Sequence, residues 1–121
     1  MEIKLAVTAL SALAHEGRVA VFRMLVQAGS GGVPAGEIAR RLGVPPNTLS
    51  ANLNVLSNAG LIDSRREGRS IIYCASFDRM TGLLGFLMED CCQGASEVCA
   101  PVAEILNRAA CCASEPDDVQ S

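Results

Sequence analysis

Aromatic bulk and imidazole are scarce in this chain. Among 121 residues there is no tryptophan, one tyrosine, three phenylalanines and one histidine, His15. Half the chain is apolar, so a core is affordable, but it must be built from Leu, Val, Ile, Ala and Met, a composition that leans helical. No run of eighteen apolar residues occurs, which excludes a membrane-spanning helix. Internal repeats are absent too. The length suits one domain. The first residues, "MEIKLAVTALSALAHE", loosely resemble an export signal, but Glu2 sits where basic charge belongs and the apolar pattern continues into "VAVFRMLV". A first core helix is the expectation.

Cysteine is plentiful by contrast. Four of the six cysteines form the adjacent pairs Cys91-Cys92 and Cys111-Cys112, and neighbouring cysteines fit disulfide geometry poorly. Free thiols in a reducing cytoplasm are expected, where such clusters serve metal binding or catalysis. Charge is uneven. Residues 35–80 carry six arginines against four acids, whereas residues 81–121 carry Arg108 against seven acids. Any phosphate contact therefore belongs to the middle segment.

Apolar spacing predicts a helix over Ile3–Ala14, with Leu5, Ala9, Ala12 and Leu13 on one side. A second follows over Glu16–Ala28, with Val21, Phe22, Leu25 and Val26 inward, and "GSGGVP" breaks it. "AGEIARRLG" reads as a short helix capped at Gly43. A further helix begins near Pro46, since proline is at home in a first turn, and stops at Gly60. Leu49, Leu53 and Leu56 mark its inner side. Asn47, Thr48, Ser50, Ala51, Asn52, Asn54 and Asn58 mark the other. Leu61–Arg66 and Ser70–Ala75 flank "EGR" as a hairpin. Ser76 can cap a helix that carries "FDRMTGLLGFLMEDCC", and a last helix covers Pro101–Ala110.

The order is mainly α with a small β-hairpin, a winged helix-turn-helix. Residues 1–110 are expected to form the single domain and 111–121 a flexible acidic tail. In such units the second helix of the pair enters the major groove and presents short hydrogen-bonding side chains to base edges. Asn47, Thr48, Ser50, Ala51, Asn52 and Asn54 are the candidates. Arg66 and Arg69 on the wing, with Arg65 beside them, suit phosphate or the minor groove. The competing reading of the helix alone is a solvated amphipathic surface. The full string of turn, helix, Gly60 and basic hairpin is far more specific.

"ALAHEGR", "TLSANLNVL", "AGLI" and "REGRSIIY" resemble the ArsR family of metal-sensing bacterial repressors, over roughly residues 5–90. The resemblance implies a homodimer joined through the first and last helices. It implies binding to double-stranded operator DNA and release when metal binds. Two family features are missing. Histidines often stand where this chain has Ala51 and Asn52. The cysteine cluster that many arsenic sensors carry on the first helix of the pair has no counterpart in "VPAGEIARRLG". One histidine also cannot supply the family's zinc-type site on the last helix.

Sensing thiols are therefore expected elsewhere. Cys91, Cys92 and Cys99 form CC-x6-C, similar to the C-terminal arsenite site of a subset of the family. Three thiolates without imidazole make a soft site. As(III), or Sb(III), takes three ligands on one side and keeps a lone pair on the other, whereas zinc prefers a tetrahedron. Along a straight helix, eight residues at ~1.5 Å rise would hold Cys91 and Cys99 about 12 Å apart. The helix is thus expected to end near Cys92, with Gly94 reversing the chain so that Cys99 folds back once arsenic binds. Cys74 reads as a small core residue, and His15 as a helix-junction residue. Cys111 and Cys112 read as incidental, with a second soft-metal trap or a replacement ligand as the alternative.

Two alternatives remain open. The vicinal pair Cys91-Cys92 alone would suit trivalent organoarsenicals. A thiol redox enzyme is disfavoured, because Glu89, Asp90 and a helix C-terminus oppose thiolate formation.

Overall fold

A computed structural model describes residues 1–88 and, beyond them, Ile105, which is helical and exposed. The elements are α1 (Ile3–Leu13), α2 (Glu16–Ala28), a 3-10 turn (Gly29–Gly31), β1 (Val33–Pro34), α3 (Ala35–Leu42), α4 (Pro46–Asn58), β2 (Ile62–Glu67), β3 (Ser70–Ala75) and α5 (Phe77–Leu87). Their breaks fall where the chain carries helix stops. His15 is extended and its Nδ1 accepts from the Gly17 amide at 3.1 Å, so the lone histidine starts α2 as its N-cap. Gly43 closes α3 in the left-handed conformation (φ 65°, ψ 35°), its amide bonded to the Ala39 carbonyl at 2.9 Å. Ser76 caps α5 by accepting from the Arg79 amide.

The core joins Val21, Phe22 and Leu25 of α2, Ile38 of α3, and Leu49, Leu53 and Leu56 of α4. Leu61, just before β2, with Ile62 and Ala75 of the sheet and Leu83 of α5, closes it. It is aliphatic apart from Phe22, as the shortage of aromatics requires. On α1 the inward residues are Ala6, Ala9 and Ala12, a stripe of small side chains that lets α1 pack against α2, α4 and α5. Leu5, expected inward, is exposed, together with Ile3 (68%), Val7 (56%) and Leu10. The larger apolar side chains of α1 thus form an outward face.

Further expectations require correction. The hairpin is part of a three-stranded antiparallel sheet of order β1-β3-β2, with Val33 opposite Tyr73 and Pro34 opposite Ile72. Proline is tolerated there because β1 lies at the sheet edge. The helix expected to reach Cys92 closes at Leu87, with Met88 as its C-cap and the Met88 amide on the Leu84 carbonyl at 3.0 Å. Cys74 is only half-buried, and its thiol meets polar groups, described below. Cys91, Cys92, Cys99, Cys111 and Cys112, the reversal at Gly94, most of the expected last helix and the acidic tail lie outside the described residues. Among the described residues, no single helix is long and apolar enough to cross a membrane.

Candidate nucleic-acid interface

The helix pair is built around a rigid turn. Gly43 ends α3, the Val44 amide also returns to the Ala39 carbonyl at 3.2 Å, and Pro45 stands extended before Pro46 opens α4. Two prolines fix φ through the turn, and Pro46 gives up an amide that would have no partner in a first turn. Leu49, Leu53 and Leu56 anchor α4 in the core. Their spacing holds the opposite face outward.

That face presents Asn47, Thr48, Ser50, Ala51 and Asn54, all exposed. Asn47 Oδ1 accepts from the Thr48 amide at 3.0 Å, which leaves its side-chain nitrogen available as a donor. Asn52 departs from the expectation. It is buried at 8% exposure, and its Nδ2 stands 3.2 Å from where a Cβ would sit on Gly17. It follows Leu49 by three residues, on the inner side of the helix, and the absence of a side chain at Gly17 gives it room. Its place is the α2–α4 contact, not the outward surface.

The wing follows directly. Glu67 pairs with Ser70, so β2 and β3 are joined by the two-residue loop Gly68-Arg69. The arginines of the middle segment divide into engaged and free ones. Arg40 and Arg41 both pair with Glu37 along α3, Arg41 Nε at 2.7 Å from Oε2. Those bonds hold the Glu37 carboxyl below the usual glutamate range, Arg40 contributing most. Arg65 Nε donates to Glu67 Oε2 at 2.6 Å, and Nη2 donates to the Gly31 carbonyl at 3.0 Å. Arg65 Nη1 lies 3.2 Å from Cys74 Sγ, and that thiol is 3.5 Å from the Ser30 carbonyl. Glu67 is the main reason the Arg65 guanidinium holds its proton more firmly than usual. Arg66 and Arg69 are exposed and make no ion pair among the described residues.

The surface thus combines short hydrogen-bonding side chains on an anchored helix with two guanidinium groups, free of ion pairs among the described residues, on the adjoining wing. It can donate to base edges and neutralise phosphates. Among the described residues, no three His, Cys, Asp or Glu side chains converge as a metal-binding group.

Known proteins share this arrangement. The family described as "Helix-turn-helix domain" matches residues 13–65. The HTH-type transcriptional regulator YgaV of Escherichia coli is 31% identical over 83 residues, covering 69% of this chain and 82% of that protein. The biofilm growth-associated repressor of Agrobacterium fabrum is 36% identical over 75 residues, and the match spans 62% of either chain. An ArsR-like transcriptional regulator from a Rhodococcus species shares the fold at 24% identity, with a TM-score of 0.65 over 85% of this chain and 93% of that one. A homodimeric winged helix-turn-helix DNA-binding domain from Mycobacterium bovis is 28% identical with a TM-score of 0.59, covering 73% and 82%.

This chain belongs to the ArsR family of winged helix-turn-helix transcriptional regulators. The ArsR family relatives are transcription regulators, not enzymes, which removes the thiol redox enzyme from consideration. Within the family's fold, α3 and α4 are the helix pair and β2–β3 is the wing, as the sequence implied. Sequence reasoning missed the engagement of Arg65 with a turn 34 residues upstream. No local pattern carries that contact.

Proposed function

We propose that this ArsR family member is a cytoplasmic repressor that binds operator DNA as a homodimer and is released when As(III), or Sb(III), binds Cys91, Cys92 and Cys99. The DNA half of the reading rests above all on the outward face of α4, where Asn47, Thr48, Ser50, Ala51 and Asn54 stand beside Arg66 and Arg69. A dimer is supported by the apolar outer face of α1, where Ile3, Val7 and Leu10 are exposed, and by the homodimeric relative from Mycobacterium bovis. Burying such a face is worth about 25 cal/mol per Å² of apolar surface.

The metalloid half rests on chemistry written in the sequence. Three thiols within nine residues, with no imidazole near, select a soft pyramidal ion over zinc. A route from that segment to the reading head exists in the fold. The segment follows α5, and α5 packs against α1. Near the start of α5, Arg79 lies over Gly60, where α4 passes into the wing. A Cβ on that glycine would stand 2.8 Å from the guanidinium. A shift of α5 would therefore be felt both at the outer helices and at the base of the wing. A coupling of about 1–3 kcal/mol would weaken DNA binding roughly 5–150-fold.

The test uses a fluorescein-labelled duplex enriched by the wild-type protein from a random pool. Fluorescence anisotropy is followed while arsenite, antimonite, zinc and cadmium are added separately. Release by the two metalloids and not by zinc is the expected result. Retention on the duplex at saturating arsenite and antimonite would end the sensor reading. Cys99→Ser separates the organoarsenical alternative, since it should abolish the arsenite response while a methylarsenite response that needs only Cys91 and Cys92 survives.

A further inference from the structure

Arg65 lies in the wing with Arg66 and Arg69 but is engaged differently. All three nitrogens of its guanidinium are occupied. Nε donates to Glu67 on its own strand, Nη2 to the Gly31 carbonyl at 3.0 Å, and Nη1 lies at 3.2 Å from the Cys74 sulfur on the neighbouring strand. Gly31 belongs to the 3-10 turn that ends α2, and the chain passes from there through β1 into α3. Arg65 thus spans from the wing to the segment that leads into the helix pair.

The turn is also seated closely. At Gly32 a Cβ would stand 2.6 Å from the Tyr73 carbonyl oxygen and 2.7 Å from Cys74 Sγ, and φ is 72°. Only glycine lets the backbone lie this flat on β3. One side of the turn is held by this close contact, and the guanidinium holds its carbonyl side.

We propose that Arg65 is a positioning residue for the DNA-reading surface: it fixes the wing to the turn before α3, and so sets the wing's angle to α4, without binding phosphate itself. Its charge is already paired with the Glu67 carboxylate and each of its nitrogens already has a partner, so a phosphate would compete with that carboxylate and meet only the N–H groups left over. The fork geometry is essential, because lysine offers one nitrogen and cannot reach Glu67, Gly31 and Cys74 together. The proposal rests on the DNA-binding reading above.

The test compares Arg65→Lys, Arg65→Gln and Arg66→Gln with the wild type on the selected duplex across a salt series. Amide resonances of residues 30–32 are followed by NMR in the DNA-free protein. Loss of a phosphate contact lowers the salt slope by about 0.9. Arg66→Gln is expected to do this and to leave the amides of residues 30–32 unmoved. Both Arg65 variants are expected to weaken binding roughly tenfold, within the range usual for coupling between separate parts of a protein. They should keep the wild-type salt slope and should shift the amides of residues 30–32. Wild-type affinity in Arg65→Lys overturns the proposal, because retained charge would then suffice. So does a slope reduced by about 0.9 in Arg65→Gln with those amides unmoved. A wild-type chain that enriches no duplex overturns the DNA reading itself, a failure distinct from the other two because they require wild-type binding.

Discussion

Asn47 and Asn52 are the same residue type on the same helix, one turn and a half apart, yet they do different things. Asn47 is exposed with its amide nitrogen free, and Asn52 is buried against the start of α2. Replacing Asn47 by Ala is expected to cost about 1–3 kcal/mol of discrimination at one base position, measured by binding to a panel of single-base variants of the selected duplex. Asn52→Ala is expected to lower the unfolding midpoint in urea while leaving the base preference unchanged. The residue-level pattern was legible for Leu49, Leu53 and Leu56, since apolar spacing reports the inner face directly. It misplaced Asn52, because a polar residue is assigned outward by default. Its burial depends on Gly17, 35 positions away, having no side chain. Cys74 was misread for the same reason: its neighbours Arg65 and Ser30 arrive through the sheet and the upstream turn.

Elements were read best where the chain carries its own stops. Pro46, Gly43, Gly60, Ser76 and the Gly-tipped loop mark boundaries by backbone chemistry alone, and the helix pair and wing fall where those residues place them. β1 was invisible because two residues, one of them proline, carry no alternation. It exists as a strand only because the free edge of β3 accepts it. The end of α5 at Leu87 was placed too late, since an apolar run reports a helix's face better than its end. In α3, Glu37 binds both Arg40 and Arg41 along one side, and its carboxyl is held below the usual value of 4.5. A lowered folded-state value adds stability above the ordinary glutamate range, and this is lost as pH falls through the lowered value. Glu37→Gln should therefore reduce Tm slightly at neutral pH. The difference should begin to fade on acidification below about 4.5 and vanish once the pH has fallen through the lowered value, as followed by thermal unfolding in a pH series.

At the scale of the whole molecule, the outer face of α1 and the reading face of α4 serve one purpose only if two copies act together. A winged helix-turn-helix dimer sets two reading helices about one DNA turn apart. Val7→Glu combined with Leu10→Glu places charge on the exposed apolar face of α1 without touching the buried Ala6, Ala9 and Ala12. The doubly substituted chain is expected to run as a folded monomer in light scattering coupled to gel filtration, with duplex affinity reduced by at least about tenfold through loss of the second head. Retention of a dimer would move the interface elsewhere.

The claim that carries the account is that α4 and the wing together read DNA. The most direct measurement is the change in amide resonances when the isotope-labelled protein binds its selected duplex, followed by addition of arsenite. The account predicts large shifts at Asn47, Thr48, Ser50, Ala51 and Asn54 and at Arg66–Arg69, with all of them returning as arsenite displaces the duplex. Shifts confined to α1 and α2, with α4 and the wing unmoved, would contradict it.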